Sequence, residues 1–152
     1  MRSYGTAIRR GSERVFRHVN CREQRQDVGT PLMITVLHHV NITIPAELEA
    51  AAKEFYGLVL GLRQIPKPAA SRQTGAWYQI GDNQLHLSVE DGEPARLSSR
   101  HVCFTVSDLA EAEEKFRDAG VEIIPDPRPV PGTARFYVRD PGGNLFEIAQ
   151  QR

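Results

Sequence analysis

The sequence predicts an α+β fold assembled from two copies of one βαβββ module, and three observations predict it. "HHVNITI" at residues 38–44 and "RHVCFTV" at 100–106 write the same His-Val-x-apolar-Thr-apolar strand twice. An apolar stripe at helical spacing follows each copy. Each copy then closes on a glycine turn and an alternating strand, "GDNQLHLSV" and "GGNLFEIA". One unit of this size cannot bury a core alone, so two must pair or exchange.

Taken in order, the first strand sets Val36, His38, Val40, Ile42 and Ile44 on one face and Leu37, His39, Asn41 and Thr43 on the other. Pro45 suits a first helical turn. "AELEAAAKEFYGLVLGL" then carries Leu48, Ala51, Ala52, Phe55, Val59 and Leu62 at helical spacing up to a stop at Gly61. "IPKPAASRQTG" reads as a loop, and "AWYQI" and "QLHLSVE" as two strands hinged at "GDN". In the second copy, Asp108 and Glu111 open a helix through "LAEAEEKFRDAG" with Gly120 as its cap. "VEIIP" is a short strand, "DPRPVPGT" a loop, and "ARFYV" and "LFEIA" the last strands around "RDPGGN". Superposing the copies sets His39 on His101, Phe55 on Phe116, Ile65 on Ile124, Asn83 on Asn144 and His86 on Glu147. The modules span about 34–90 and 99–150 of a single domain over residues 32–152, and their strands are expected to form a cupped, barrel-like mixed sheet.

The 152 residues carry 19 basic and 19 acidic side chains, so no global charge points to nucleic acid. Residues 1–31 hold seven arginines against three acids, an excess of four that leaves the remainder at −4. They show no strand or helical period and are expected to be a disordered or poorly ordered basic extension; Met33, directly before the first strand, offers an alternative start. No apolar run follows Arg9-Arg10, which excludes a secretory signal there, and none is long enough to cross a membrane. Cys21 and Cys103 form no CxxC, so a reducing cytoplasm is the expected location.

Four ligand-type side chains fall at two related positions: His39 and His101 on the first strand of each copy, His86 and Glu147 on the last. If both modules curl the same way, the four converge on a concave surface. Imidazoles and a carboxylate suit one divalent ion, with Zn, Ni, Co, Mn and Fe all compatible. A lone strand histidine is usually structural; four at symmetry-related positions are not independent occurrences. His38 is read as packing toward the helix. Cys103 shares the His101 face and lines the pocket. Arg135 and Tyr137 share one face of "ARFYV" beside the last strand, where they either bind a substrate carboxylate or phosphonate or face solvent, and Trp77 is a candidate pocket wall.

Through "LHHVNITI", "EFYGLVLGL", "RHVCFTV" and "FYVRDPGGNLFEIA", residues 34–150 resemble the vicinal oxygen chelate superfamily. This superfamily includes glyoxalase I, methylmalonyl-CoA epimerase, extradiol dioxygenases and fosfomycin or bleomycin resistance proteins. The resemblance implies paired βαβββ modules around one divalent metal, with His39, His86, His101 and Glu147 as ligands and Glu147 also as the proton shuttle. It further implies a homodimer whose sites draw ligands from both chains, and a small substrate chelated through neighbouring oxygens. The activity expected is a glyoxalase-type lyase or isomerase. The alternatives are an extradiol-type dioxygenase using His39, His101 and Glu147, or a metal-free protein that sequesters an antibiotic or small aromatic. His86 stands where glyoxalase I carries Glu or Gln, which argues against lactoylglutathione chemistry.

Overall fold

Alternating apolar and polar residues fold both copies to the same plan. The computed structural model describes residues 34–71, 74–92 and 98–150; the extension expected over residues 1–31 lies outside them. The first sheet has the order β1-β4-β3-β2, from His39–Ile44, Asn83–Val89, Ala76–Ile80 and Arg63–Ile65. The second repeats it as β5-β8-β7-β6, from His101–Val106, Leu145–Gln150, Arg135–Arg139 and Ile124–Pro125. In each, the first and last strands of the module run parallel and the other neighbours antiparallel. The chain is therefore mixed α+β, with two cupped four-stranded sheets.

The registers superpose residue by residue. His86 pairs with Asn41 on one side and Trp77 on the other; Glu147 pairs with Cys103 and Tyr137. Ile65 opposes Trp77 as Ile124 opposes Tyr137. Helix α2, Leu109–Asp118, starts where Asp108 accepts hydrogen bonds from the amides of Ala110 and Glu111, and Gly120 follows it at φ 71°.

The first helical segment departs from a single helix. It runs as a 3₁₀ turn over Ala46–Leu48, α1 over Glu49–Glu54 and a π turn over Phe55–Val59. Phe55 and Tyr56 are both buried, while Ala51, expected on the apolar face, is exposed. Strand β2 lies inside the stretch expected to be a loop or its lead-in: three residues, two of them polar, are too few to show a period. His38 is exposed rather than packed under the helix, because it precedes β1 and no helix among the described residues covers it.

One apolar core draws on both modules, and the helical segments bridge it. Phe55 lies 6.5 Å, centroid to centroid, from both Phe116 and Phe146, and Tyr56 lies 6.0 Å from Phe146. Each buried ring of this kind contributes about 1.5–3 kcal/mol of transfer free energy. A polar clasp joins the modules beside them. The Tyr56 hydroxyl donates to Asp140 Oδ2 at 2.7 Å, across 84 positions of sequence. Asn144 donates to Asp140 through its amide and side chain, and its Nδ2 also donates to the Thr43 carbonyl of β1 at 3.0 Å. The "DPGGN" turn is thus a structural joint. Its Gly142 leaves no room for a side chain, since a Cβ would stand 2.7 Å from Ile44 Cγ2.

Candidate functional site

The polar faces of the strands lie outside that core. On β5 the polar face carries His101 and Cys103, on β8 Glu147, and on β7 Arg135 and Tyr137. Glu147 is 7% exposed and is the hub of this group. His101 Nε2 stands 3.3 Å from its Oε2, and the Tyr137 hydroxyl donates to the same oxygen at 3.0 Å. Arg135 Nη1 donates to Oε1 at 3.3 Å, and the Cys103 thiol lies 3.6 Å from Oε1. Arg135 is further held by Asp126, whose Oδ2 accepts from Nε at 2.7 Å. Burial, then the Glu147 charge, pushes the Cys103 thiol above its ordinary pKa. Burial and the bond to Glu147 raise the Tyr137 phenol likewise, so both stay protonated at neutral pH.

The His101 ring is fixed at its other end. Its Nδ1 lies 3.0 Å from the Ser99 carbonyl, which can only accept, so Nδ1 carries the proton and neutral His101 keeps its lone pair at Nε2. That lone pair is on the Glu147 side. A first-row ion bound at about 2.0–2.2 Å sets neighbouring donor atoms roughly 3.0–3.5 Å apart. The 3.3 Å between Nε2 and Oε2 fits two ligands of one ion.

The first sheet carries the equivalent pair in a different arrangement. Trp77, His86 and His39 stack face to face, with centroids 3.9 and 4.2 Å apart and planes within 3° and 17°. His86 Nε2 donates to Gln84 Oε1 at 2.9 Å, and the Nδ1 atoms of His38 and His39 share a proton at 2.9 Å. Burial, then the neighbouring charges, holds His86 below the usual imidazole range, the neutral form a metal requires. Parallel rings do not aim their in-plane lone pairs at one point, so joint ligation needs a ring to turn.

The four side chains therefore come together as two pairs. Among the described residues no group of three or more His, Cys, Asp or Glu is arranged to hold an ion. Sequence reading missed the Asp126–Arg135 pair, the Ser99 anchor and Lys67, which lines one pocket with His86 from the β2–β3 connection. Only the Ser99 anchor, two residues before His101, left a local signal.

Residues 36–148 match the Glyoxalase/Bleomycin resistance protein/Dioxygenase superfamily. The chain belongs to this superfamily. It is 26% identical over 134 residues to Glyoxylase I 4 of Arabidopsis thaliana, a match covering 82% of this chain and 75% of that one. The glyoxylase CFP32 of Mycobacterium tuberculosis is 31% identical over 98 residues, 64% of this chain but only 38% of the mycobacterial protein. Among solved structures, a glyoxalase family protein from Bacillus anthracis superposes with a TM-score of 0.71 at 32% identity, covering 81% of this superfamily member and all of that chain. A variant of the fosfomycin resistance protein FosX from Listeria monocytogenes, solved with Mn(II) and dihydroxypropylphosphonic acid, shares the fold at a TM-score of 0.68 and 20% identity, over 79% and 95% of the two chains. Among the described residues no helix is long and apolar enough to cross a membrane.

Proposed function

We propose that this superfamily member is a metal-dependent enzyme of the glyoxalase type, a lyase or isomerase acting on a small substrate with two neighbouring oxygens. Two copies pair, and each site joins His39 and His86 of one copy to His101 and Glu147 of the partner subunit. The observation that carries the reading is the His101–Glu147 pair, with its ring oriented by Ser99 and its two donor atoms at ligand spacing. Glyoxalase-named relatives, and the Mn(II) in the FosX structure, support a divalent ion as the cofactor.

Pairing follows from what one chain leaves uncovered. Among the described strands, β1 and β5 each lie at the edge of a sheet, where a row of backbone donors and acceptors can receive another strand. The approach to β1 exposes Ile34, Val36 and Leu37, at 81%, 69% and 64%. A second copy supplies both a strand edge and apolar cover.

Bound at this site, the ion supplies Lewis acidity to the chelated oxygens. The chain's own residues supply the rest. Glu147 accepts a proton from the substrate carbon beside those oxygens and returns it to the neighbouring carbon. Tyr137 and Arg135 hold the carboxylate in place, one at each oxygen. The Cys103 thiol, protonated, forms wall rather than nucleophile, and a reducing cytoplasm suits its free state.

Elemental analysis of protein purified without chelators or an affinity tag tests this reading, alongside His101→Ala. The expected result is close to one ion per chain, lost in the variant. Wild-type protein that neither carries nor takes up an ion leaves the sequestering function instead; iron would move the chemistry to ring-cleaving oxygenation.

A further inference from the structure

A second feature of the polar face of the first sheet lies next to the His39–His86 pair. A pocket of about 380 Å³ opens there, lined by Asn41, Lys67, Trp77, His86, Ser88 and Glu90 among others. Its lining is polar on one side and the Trp77 indole on another. Asn41 and Ser88 satisfy each other, the Ser88 hydroxyl donating to Asn41 Oδ1 at 2.7 Å. Lys67 is different. Its ammonium donates to the Thr74 carbonyl, a neutral acceptor that takes one of three N–H groups and none of the charge. Glu49, the carboxylate that Lys67 influences, is already paired with Lys53 at 2.6 Å and accepts from the Gly75 amide at 2.8 Å. Glu90 lines the same pocket but forms no ion pair with Lys67 within 4 Å.

Among the described residues the Lys67 ammonium therefore forms no ion pair with a carboxylate, and it stands in a pocket shared with an indole face and an imidazole assigned to the metal. We infer that this pocket is an anion subsite in which Lys67 receives a carboxylate or phosphonate group. Identifying that anion as part of the substrate rests on the enzyme reading above; the subsite itself does not. Joined to that reading, it narrows the substrate class to small anions whose charged group sits at Lys67 while two neighbouring oxygens reach the ion beside His86. Lys67 is then a specificity-determining residue, set on the β2–β3 connection where loop sequence varies without disturbing the sheets.

Trp77 makes the test direct, because it is the only tryptophan of the chain. Full-length protein as purified is titrated with methylphosphonate and, separately, with acetate at constant ionic strength, reading indole fluorescence. Wild type is expected to give a saturable change with at least one of the two, and the tighter probe names the class. Lys67→Met is expected to weaken that binding at least about tenfold, equivalent to roughly 1.4 kcal/mol, and Lys67→Arg to retain it. A response that never saturates, or one equal in Lys67→Met, overturns the inference; an anion held by the metal alone gives that second result. Metal content is measured on the same samples. Full metal without Lys67-dependent binding overturns the subsite alone, whereas Lys67-dependent binding to metal-free protein upholds the subsite and overturns the enzyme reading.

Discussion

His101 Nε2 stands 3.3 Å from Glu147 Oε2, while the opposite nitrogen of the same ring is tied to the Ser99 carbonyl at 3.0 Å. That carbonyl sets the tautomer, and the tautomer decides which atom can bind a metal. The other three groups around Glu147 then act as supports, each testable by its own removal.

Tyr137→Phe deletes the hydroxyl that donates to Glu147 Oε2 and leaves the ring in place. Outer hydrogen bonds of this kind are worth about 10–100-fold in metal affinity. The expected outcome is a loss in that range by competition with a chromogenic chelator, with an unchanged thermal midpoint. Glu147→Gln keeps the shape but removes the base, and is expected to lower kcat by about 10²–10⁴ once a substrate is in hand.

Asp140 is a joint rather than a site residue. Its carboxylate accepts from Tyr56 and Asn144 while 4% exposed. Asp140→Ala leaves the Tyr56 hydroxyl buried without its acceptor and is expected to cost about 3 kcal/mol in urea denaturation. Removing the joint also frees the Thr43 end of β1, so metal affinity should fall in the same variant.

The same residue gives a pH dependence of unusual sign. Burial raises the Asp140 pKa in the folded protein against the opposing pull of its hydrogen bonds. A carboxyl raised in the folded state binds protons there first, so its contribution grows as pH falls from neutral through that raised value toward the unfolded one. Asp126, lowered by Arg135 and the Arg128 amide, and Glu49, lowered first by Lys53, act oppositely and lose their contribution on acidification. The contrast of wild type with Asp140→Asn isolates the first effect: wild type should gain relative stability as pH drops from 7 toward 4.

Two turn glycines separate strain from collision. Gly81, at φ 53°, has open space where a Cβ would go, so Gly81→Ala should cost only its backbone strain, about 1 kcal/mol. Gly75, at φ 77°, would place a Cβ 2.0 Å from the Leu87 carbonyl oxygen. Gly75→Ala must open the β3–β4 pairing and is expected to cost more than about 3 kcal/mol or to prevent folding. Denaturation of the two variants side by side checks both.

Local pattern made the modules legible. His86 and Glu147 each sit between buried apolar neighbours, so alternation alone assigned both to the polar face, and the two registers place them at equivalent positions. Strand β2 escaped because its three residues show no alternation to read. The Tyr56–Asp140 bond escaped for another reason: it joins positions 84 apart, and nothing in a local period reports on a contact that only tertiary packing creates. Arg135 shows the same limit at short range. It read as a candidate substrate-binding cation on a strand, yet Asp126, nine positions earlier in a proline-rich loop, folds back onto it. The four ligand candidates come together as two pairs, His39 with His86 and His101 with Glu147, an arrangement of tertiary packing that local alternation does not report.

The central claim is that each metal centre is built from two copies, and mixing tests it most directly. One variant carries His39→Ala with His86→Ala, the other His101→Ala with Glu147→Ala; each alone should bind no ion. Unfolded together and refolded as a mixture, they should recover metal in the mixed dimer, at one ion per two chains, because one of its two sites is then complete. A mixture that stays metal-free while wild type refolded the same way regains its ion would contradict a shared site.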